Sequence, residues 1–391
     1  MPFELNNSNA RRLLEHFEGE RASVLDFARR LCEIESPSGD AEGSRAVVSL
    51  LEEAARTIPR VESIERVPAA DDYGEHFRLR AHGGGTTSTR TLLLLGHTDT
   101  VHPKGMLARR PWRVEGEKIY APGVFDMKAS CAVVIAALRA LGALGIEPRR
   151  PVVLLLTCDE ESGSRSGRAL VEEEARRADA VLVLEPPASG GRAKTARKGT
   201  GLFNLGVEGR AAHAGLEPEK GASAVLEIAR QVERVSSLAR PELGTTVNVG
   251  TVQGGTHANV VAAEARAEVD VRFSTADEAR RIEGALRGLS PFDERTRVHV
   301  GGGINRPPME RTEAVAALFE SARRVASAFD FELGEASVGG ASDGNFAAAC
   351  GVAVLDGLGV EGDGAHAAHE HIVADRVAFR CALLAALVAT V

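Results

Sequence analysis

The chain has 391 residues, 47 Lys+Arg against 55 Asp+Glu, and a formal net charge of −8, with 44% hydrophobic and 26% charged residues. Those proportions are ordinary for globular proteins and exclude long disorder or an extended coiled coil, and the length suggests about two or three domains. The acidic balance removes general affinity for nucleic-acid backbones and anionic membrane surfaces.

In chain order, apolar residues recur at helical spacing over residues 11–17 and again over 22–34, where Leu25, Ala28, Leu31 and Cys32 form one stripe. The turn-rich run Ser36-Pro37-Ser38-Gly39-Asp40 ends the second of these helices. Three short apolar runs follow, at 91–95, 152–156 and 180–184. Unbroken runs of that length suit strands covered on both faces. A small-residue-rich helix is expected at 127–144 between the first two runs. Strands alternating with helices predict a doubly wound α/β domain with helices flanking the sheet.

The pattern changes after Pro187. Strands are expected at 202–207, 245–252, 264–273 and 297–300, with helices at 222–238 and 277–289. The strand at 264–273 alternates strictly (Ala265, Ala267, Val269, Val271, Phe273), as a half-solvated strand should. The order β-α-β-β-α-β is that of a ferredoxin-like α+β unit, which the sequence therefore places inside the larger domain. The chain returns to a helix at 312–329, a Gly-rich loop at Gly339 and Gly340, a short strand at 352–355 and a last helix from Ala374. The expected division is 1–195 and 306–391 for the α/β domain and 196–305 for the insert.

Cys32, Cys131, Cys158, Cys350 and Cys381 contain no C-x-x-C pair and are odd in number, which fits burial in a reducing compartment. No secretory leader is expected from the first twenty residues. The apolar run 131–145 is broken by Arg139, and 381–391 is too short to cross about 30 Å of hydrocarbon. A soluble, cytoplasmic protein is the expectation.

The acids and histidines fall in a telling place. Each apolar run leads directly into one: His97-Thr98-Asp99, Asp159-Glu160-Glu161, and Glu185 before Pro186. Open α/β sheets bind ligands at the carboxyl ends of their strands. Asp126, at the start of the small-residue helix, faces the same edge. Taken singly, each has an ordinary reading: His97 as a surface histidine, Asp126 as a helix N-cap, Glu160 and Glu161 as a solvated pair. Together they make a crowd of carboxylates that either stays partly protonated or holds a cation, and the cation is the better reading. Imidazole plus carboxylate without thiolate suits Zn²⁺, with Mn²⁺ or Co²⁺ as alternatives, and the number of acids argues for two ions sharing a ligand. Asp99, two residues from His97, is placed to accept the other imidazole N–H.

With these residues in view, the chain resembles the metallopeptidase family of glutamate carboxypeptidase, aminoacylase, acetylornithine deacetylase and succinyl-diaminopimelate desuccinylase. The resemblance runs from Ile34 to the final helix, and is sharpest at GHTDTVHPKG (96–105), APGVFDMK (121–128), TCDEESGS (157–164), LEP (184–186), AAHAG (211–215) and GAHAAHEHI (364–372). The first of these, with WRVEG (112–116) downstream, is nearest the glutamate carboxypeptidase branch. The resemblance implies two Zn²⁺ per chain, one held by His97 and Glu185, the other by His366 and Glu161, with Asp126 bridging. It implies Glu160 as general base, Asp99 behind His97, and His213 as an oxyanion donor reaching in from a partner subunit. The insert would then serve as a dimerisation or lid domain of a homodimer. Asn259, Arg272 and Arg306 match substrate positions, the arginines as carboxylate clamps, although without the resemblance His213 reads as a polar loop residue and Arg272 as the solvated face of a strand. His369 and His371 stay unassigned.

The expected activity is zinc-dependent hydrolysis of an amide bond beside a free carboxylate, on a small peptide or N-acyl amino acid. The alternatives are an N-acyl-amino-acid deacylase of the acetylornithine deacetylase or aminoacylase type, a small-dipeptide peptidase, and a non-catalytic binder of metal or peptide. A binuclear phosphoesterase is disfavoured by the absence of a basic phosphate cradle.

Overall fold

The computed structural model describes residues 5–83 and 88–391, so the first four residues of the segment searched for a leader lie outside the described residues. The chain divides into two compact units: Met1–Thr195 with Arg311–Ser337 and Ser342–Val391, and Ala196–Glu310 with Val338–Ala341.

The first unit is built on a six-stranded mixed sheet in the order Val61–Pro68, Glu75–Ala81, Val152–Thr157, Thr91–His97, Ala178–Val183, Ala353–Leu355. The last four run parallel, and the first two form an antiparallel hairpin joined to Val152–Thr157. Leu92, Leu93, Leu94 and Leu95 are all fully buried. Successive side chains point to opposite faces of a strand, so both faces of the sheet are covered here. Helices Asn7–Cys32, Ala129–Ala143 and Val377–Thr390 pack on one another, and Gly167–Arg177 lies against the central strands.

Residues 11–17 and 22–34 are not separate helices. Asn7–Cys32 is continuous, capped by the Asn6 side chain accepting the Asn9 N–H at 2.9 Å. The linking residues 18–21 contain no proline to break the ladder, and the buried stripe Leu13, Phe17, Val24, Ala28, Leu31 runs through them. Hairpin Val61–Pro68/Glu75–Ala81 and helix Ala41–Ala55 were not expected. The outer strand of that hairpin has no fully buried residue and carries Glu62, Glu65 and Arg66, which hides it from a hydrophobic pattern.

The second unit is a four-stranded antiparallel sheet in the order Thr246–Gly254, Glu264–Phe273, Gly199–Glu208, Arg297–Arg306. In chain order that is second, third, first, fourth, the ferredoxin-like arrangement. Helices Ala224–Ser236 and Ala276–Arg287 contribute Ile228, Val235, Ile282 and Leu286 to a core with Phe203, Leu205, Val269, Val271 and Phe273. The last strand runs beyond residue 300, because the backbone of 301–303 pairs with 202–204 although three glycines lack strand propensity. Reciprocal Arg197–Met309 backbone bonds of 2.9 and 3.0 Å carry this unit to Glu310 instead of residue 305, and a 3.0 Å bond from Lys198 N to the Val338 carbonyl adds Val338–Ala341. Among the described residues no helix is long and apolar enough to cross a membrane.

Candidate metal centre

Strand register determines which loops meet. His97 pairs with Thr157, and Leu95 with Val183, so Asp99, Glu160, Glu161 and Glu185 all lie just past the carboxyl ends of adjacent parallel strands. Asp126 arrives from the irregular turn Val124–Lys128, whose Asp126 and Met127 have non-helical dihedrals. The helix behind it therefore starts at Ala129 and not at Met127. His366 comes from the loop before strand His371–Val373 and adopts a left-handed backbone, φ 64°.

Asp99 organises the centre. Its carboxylate accepts the N–H groups of Glu160 at 3.2 Å and Glu161 at 3.1 Å, and the Ser38 hydroxyl at 2.5 Å. Its backbone carbonyl lies 2.9 Å from His97 Nδ1. A carbonyl only accepts, so Nδ1 carries a proton and donates it to Asp99. At the opposite edge of the ring, Nε2 lies 3.1 Å from Asp126 Oδ1 and 3.3 Å from Glu185 Oε1. On the other side, His366 Nε2 lies 3.3 Å from Asp126 Oδ2 and 3.2 Å from Glu161 Oε2. Each oxygen of Asp126 thus belongs to a different histidine–carboxylate set.

The electrostatics call for positive charge. Burial opposes protonation of His97, yet its contacts with Asp126, Asp99 and Glu185 hold its pKa well above the ordinary imidazole value. Contacts with Asp126 and Glu161 raise His366 to about 10. Burial works against ionised Asp126, but the two histidines keep it well below the usual carboxylate range. Burial instead raises Glu161, and its Oε1 is buried with no hydrogen-bond partner among the described residues.

This donor set fits divalent cations. His97, Asp126 and Glu161 offer ligand atoms within 4.8 Å of one another. The nitrogen–oxygen separations of 3.1–3.3 Å match the edge of about 3.3 Å between ligands of a tetrahedral ion with bonds of about 2.0 Å. The unpartnered Glu161 oxygen has the acceptor character a cation would satisfy.

Glu160 is buried in the one-turn helix Glu160–Ser162. The other expected residues belong to the second unit. His213 is exposed, and its Nδ1 accepts the N–H groups of Gly215 and Leu216 at 3.1 and 3.2 Å, leaving Nε2–H as an outward donor. Asn259 sits beside it, its carbonyl accepting the Ala214 N–H at 2.9 Å. Arg272 is engaged by Asp270 through two 2.9 Å bonds on the same strand face. Arg306 is buried, and its Nη1 donates to the Asn305 side-chain oxygen at 3.2 Å. His371 is also buried, its Nδ1 2.8 Å from the His369 carbonyl and its ring 5.1 Å from that of Tyr120; His369 is exposed.

Ser38 escaped the sequence reading as a contributor, and Asp343 ends the Gly-rich loop that starts at Gly339. Asp343 accepts the Thr157 hydroxyl at 2.8 Å behind the strand end. Ser38 lies in a turn motif, and only the fold shows that it reaches Asp99.

The profile of peptidase family M20/M25/M40 matches residues 93–390. The chain is 31% identical over 358 residues to carboxypeptidase G2 of Pseudomonas sp. (strain RS-16), covering 89% of this chain and 84% of that protein. It is 30% identical over 321 residues to succinyl-diaminopimelate desuccinylase of Verminephrobacter eiseniae, covering 75% and 76%. The fold is similar to that of aminopeptidase PepT from Bacillus cereus, with a TM-score of 0.76 at 21% identity over 95% of this chain and 98% of that one.

Proposed function

The chain belongs to peptidase family M20/M25/M40, a hydrolytic enzyme acting on peptide or acyl-amino-acid bonds, and we propose that it cleaves an amide bond beside a free carboxylate, as an exopeptidase similar to carboxypeptidase G2. The observation that carries this reading is Asp126, whose two oxygens face separate histidine–carboxylate sets at 3.1 and 3.3 Å. On this reading His97, Glu185 and Asp126 would hold one divalent cation, and His366, Glu161 and Asp126 the other, with Zn²⁺ first in order and Co²⁺ or Mn²⁺ as substitutes. Such a pair supplies Lewis acidity, making water acidic enough to attack near neutral pH and polarising the scissile carbonyl.

The protein's own residues do the rest. Glu160 accepts the proton of the attacking water and returns it to the leaving nitrogen. Asp99 keeps His97 in the tautomer that directs Nε2 at the centre. His213 donates from Nε2–H to the oxyanion, from the partner subunit of a homodimer formed through the inserted unit. Asn259 and Arg306 bind the substrate's polar end. Arg272 clamps a carboxylate only by exchanging Asp270 for it. All five cysteines are free thiols, in keeping with the cytoplasm as the place of action.

A second reading keeps the chemistry and changes the substrate to an N-acyl amino acid, and the 30% identity to a desuccinylase favours it. The test is hydrolysis of a panel of C-terminal glutamyl peptides, N-acyl amino acids, dipeptides and phosphate esters, with and without chelator, with metal analysis on the same sample. Chelator-sensitive cleavage of glutamyl amides supports the first reading. Preference for N-acyl amino acids moves it to the second, and absence of any hydrolysis by metal-loaded protein ends both.

A further inference from the structure

The buried carboxylate of Glu370 takes no part in the chemistry above, yet it binds three loops of the centre together. Its Oε1 accepts the backbone N–H groups of Phe125 and Asp126, both at 3.0 Å. Its Oε2 accepts the Gly123 N–H at 2.8 Å and lies 2.6 Å from His102 Nε2. Glu370 is 3% exposed and His102 8%. The Asp126 turn leaves the helical path, so these N–H groups lack the partners a regular helix would supply. A carboxylate with two oxygens satisfies all three and accepts from an imidazole as well.

We propose that Glu370 is a positioning residue for the cation centre, setting the direction in which Asp126 presents its two oxygens. Glu370 lies four residues after His366, and His102 five after His97. The carboxylate therefore ties the turn that carries Asp126 to the loops that carry the two histidines. His102 holds the second end of this tie. The inference rests on the two-cation reading of the site.

The test uses the full chain as Glu370→Gln and His102→Asn, with Zn²⁺ affinity measured by chelator competition and Tm recorded with and without Zn²⁺. Glutamine keeps the size of the side chain but turns an amide N–H₂ toward backbone donors. Zn²⁺ binding should weaken on the order of 10–100-fold, and the rise in Tm on adding Zn²⁺ should shrink. His102→Asn, which leaves the three backbone bonds in place, should weaken Zn²⁺ several-fold and carries the test alone if Glu370→Gln does not fold. Equal losses of Tm with and without Zn²⁺, at unchanged affinity, would make the role merely structural and overturn the proposal. A wild-type chain that takes up no Zn²⁺ overturns the two-cation reading itself; tight wild-type binding matched by both variants overturns this inference only.

Discussion

Asp99 holds His97 from behind: its carbonyl oxygen lies 2.9 Å from Nδ1, and its carboxylate Oδ1 3.4 Å from the same nitrogen. The same carboxylate accepts the peptide N–H groups of Glu160 and Glu161. One residue thus meets the His97 ring through both its backbone carbonyl and its carboxylate, and anchors the segment bearing the proposed base.

Asp99→Asn keeps the size of the side chain but presents an amide N–H₂ where two backbone donors already point. Cation affinity and kcat/KM should each fall on the order of 10–100-fold. Chelator competition alongside steady-state kinetics measures both. Wild-type values for both would remove Asp99 from its orienting role.

Glu160→Gln should separate binding from chemistry. The variant should retain two divalent cations per chain by elemental analysis while kcat drops on the order of 10²–10⁴-fold, the range for loss of a positioned general base. Near-normal turnover would leave the proton transfer without its assigned residue.

Without cations, the protein should lose stability as pH rises. The folded pKa of His366, about 10, lies above its ordinary 6.5 because Asp126 and Glu161 contact the ring. A raised folded pKa contributes stability that is complete below about 6.5 and is lost as pH climbs through about 10. With 53% of the side chain exposed, solvent screens the effect and its size is modest. Over the same window cation affinity should increase, since only the neutral imidazole binds a metal. Thermal melts of chelated protein from pH 6 upward check the first trend and Co²⁺ titrations the second. A Tm that climbs across that window contradicts the assignment.

Gly359 tests how tightly the Glu185 strand end is held. A Cβ there would overlap the carbonyl oxygens of Leu184 and Glu185 and the Ser130 hydroxyl. Gly359→Ala should destabilise by roughly 1–3 kcal/mol and weaken cation binding on the Glu185 side. Gly284 offers the contrast, sitting in helix Ala276–Arg287 with nothing within 4 Å of the point a methyl group would occupy. Gly284→Ala should stabilise by about 0.5–1 kcal/mol. Urea melts of both variants measure the difference, and equal effects would show that the close packing around Gly359 does not matter.

Much of the architecture is legible in the amino-acid pattern. Strands 91–95, 152–156 and 180–184 announce themselves because a parallel strand buried on both faces must be apolar at every position. The alternation at 264–273 betrays a sheet with one solvated face for the converse reason. The outer strand Val61–Pro68 stays hidden, since a strand with no fully buried residue tolerates charge and leaves little periodic signal.

Sequence alone placed histidine and carboxylates at the carboxyl ends of buried strands, because the apolar runs end where those residues begin and strand polarity dictates the rest. Tertiary structure decided which oxygen of Asp126 meets which histidine, that Arg272 is already engaged by Asp270, and that Glu370 reaches the Asp126 turn across 244 residues of chain. Such pairings depend on the directions in which side chains leave loops, and local propensity carries no information about directions that only packing imposes.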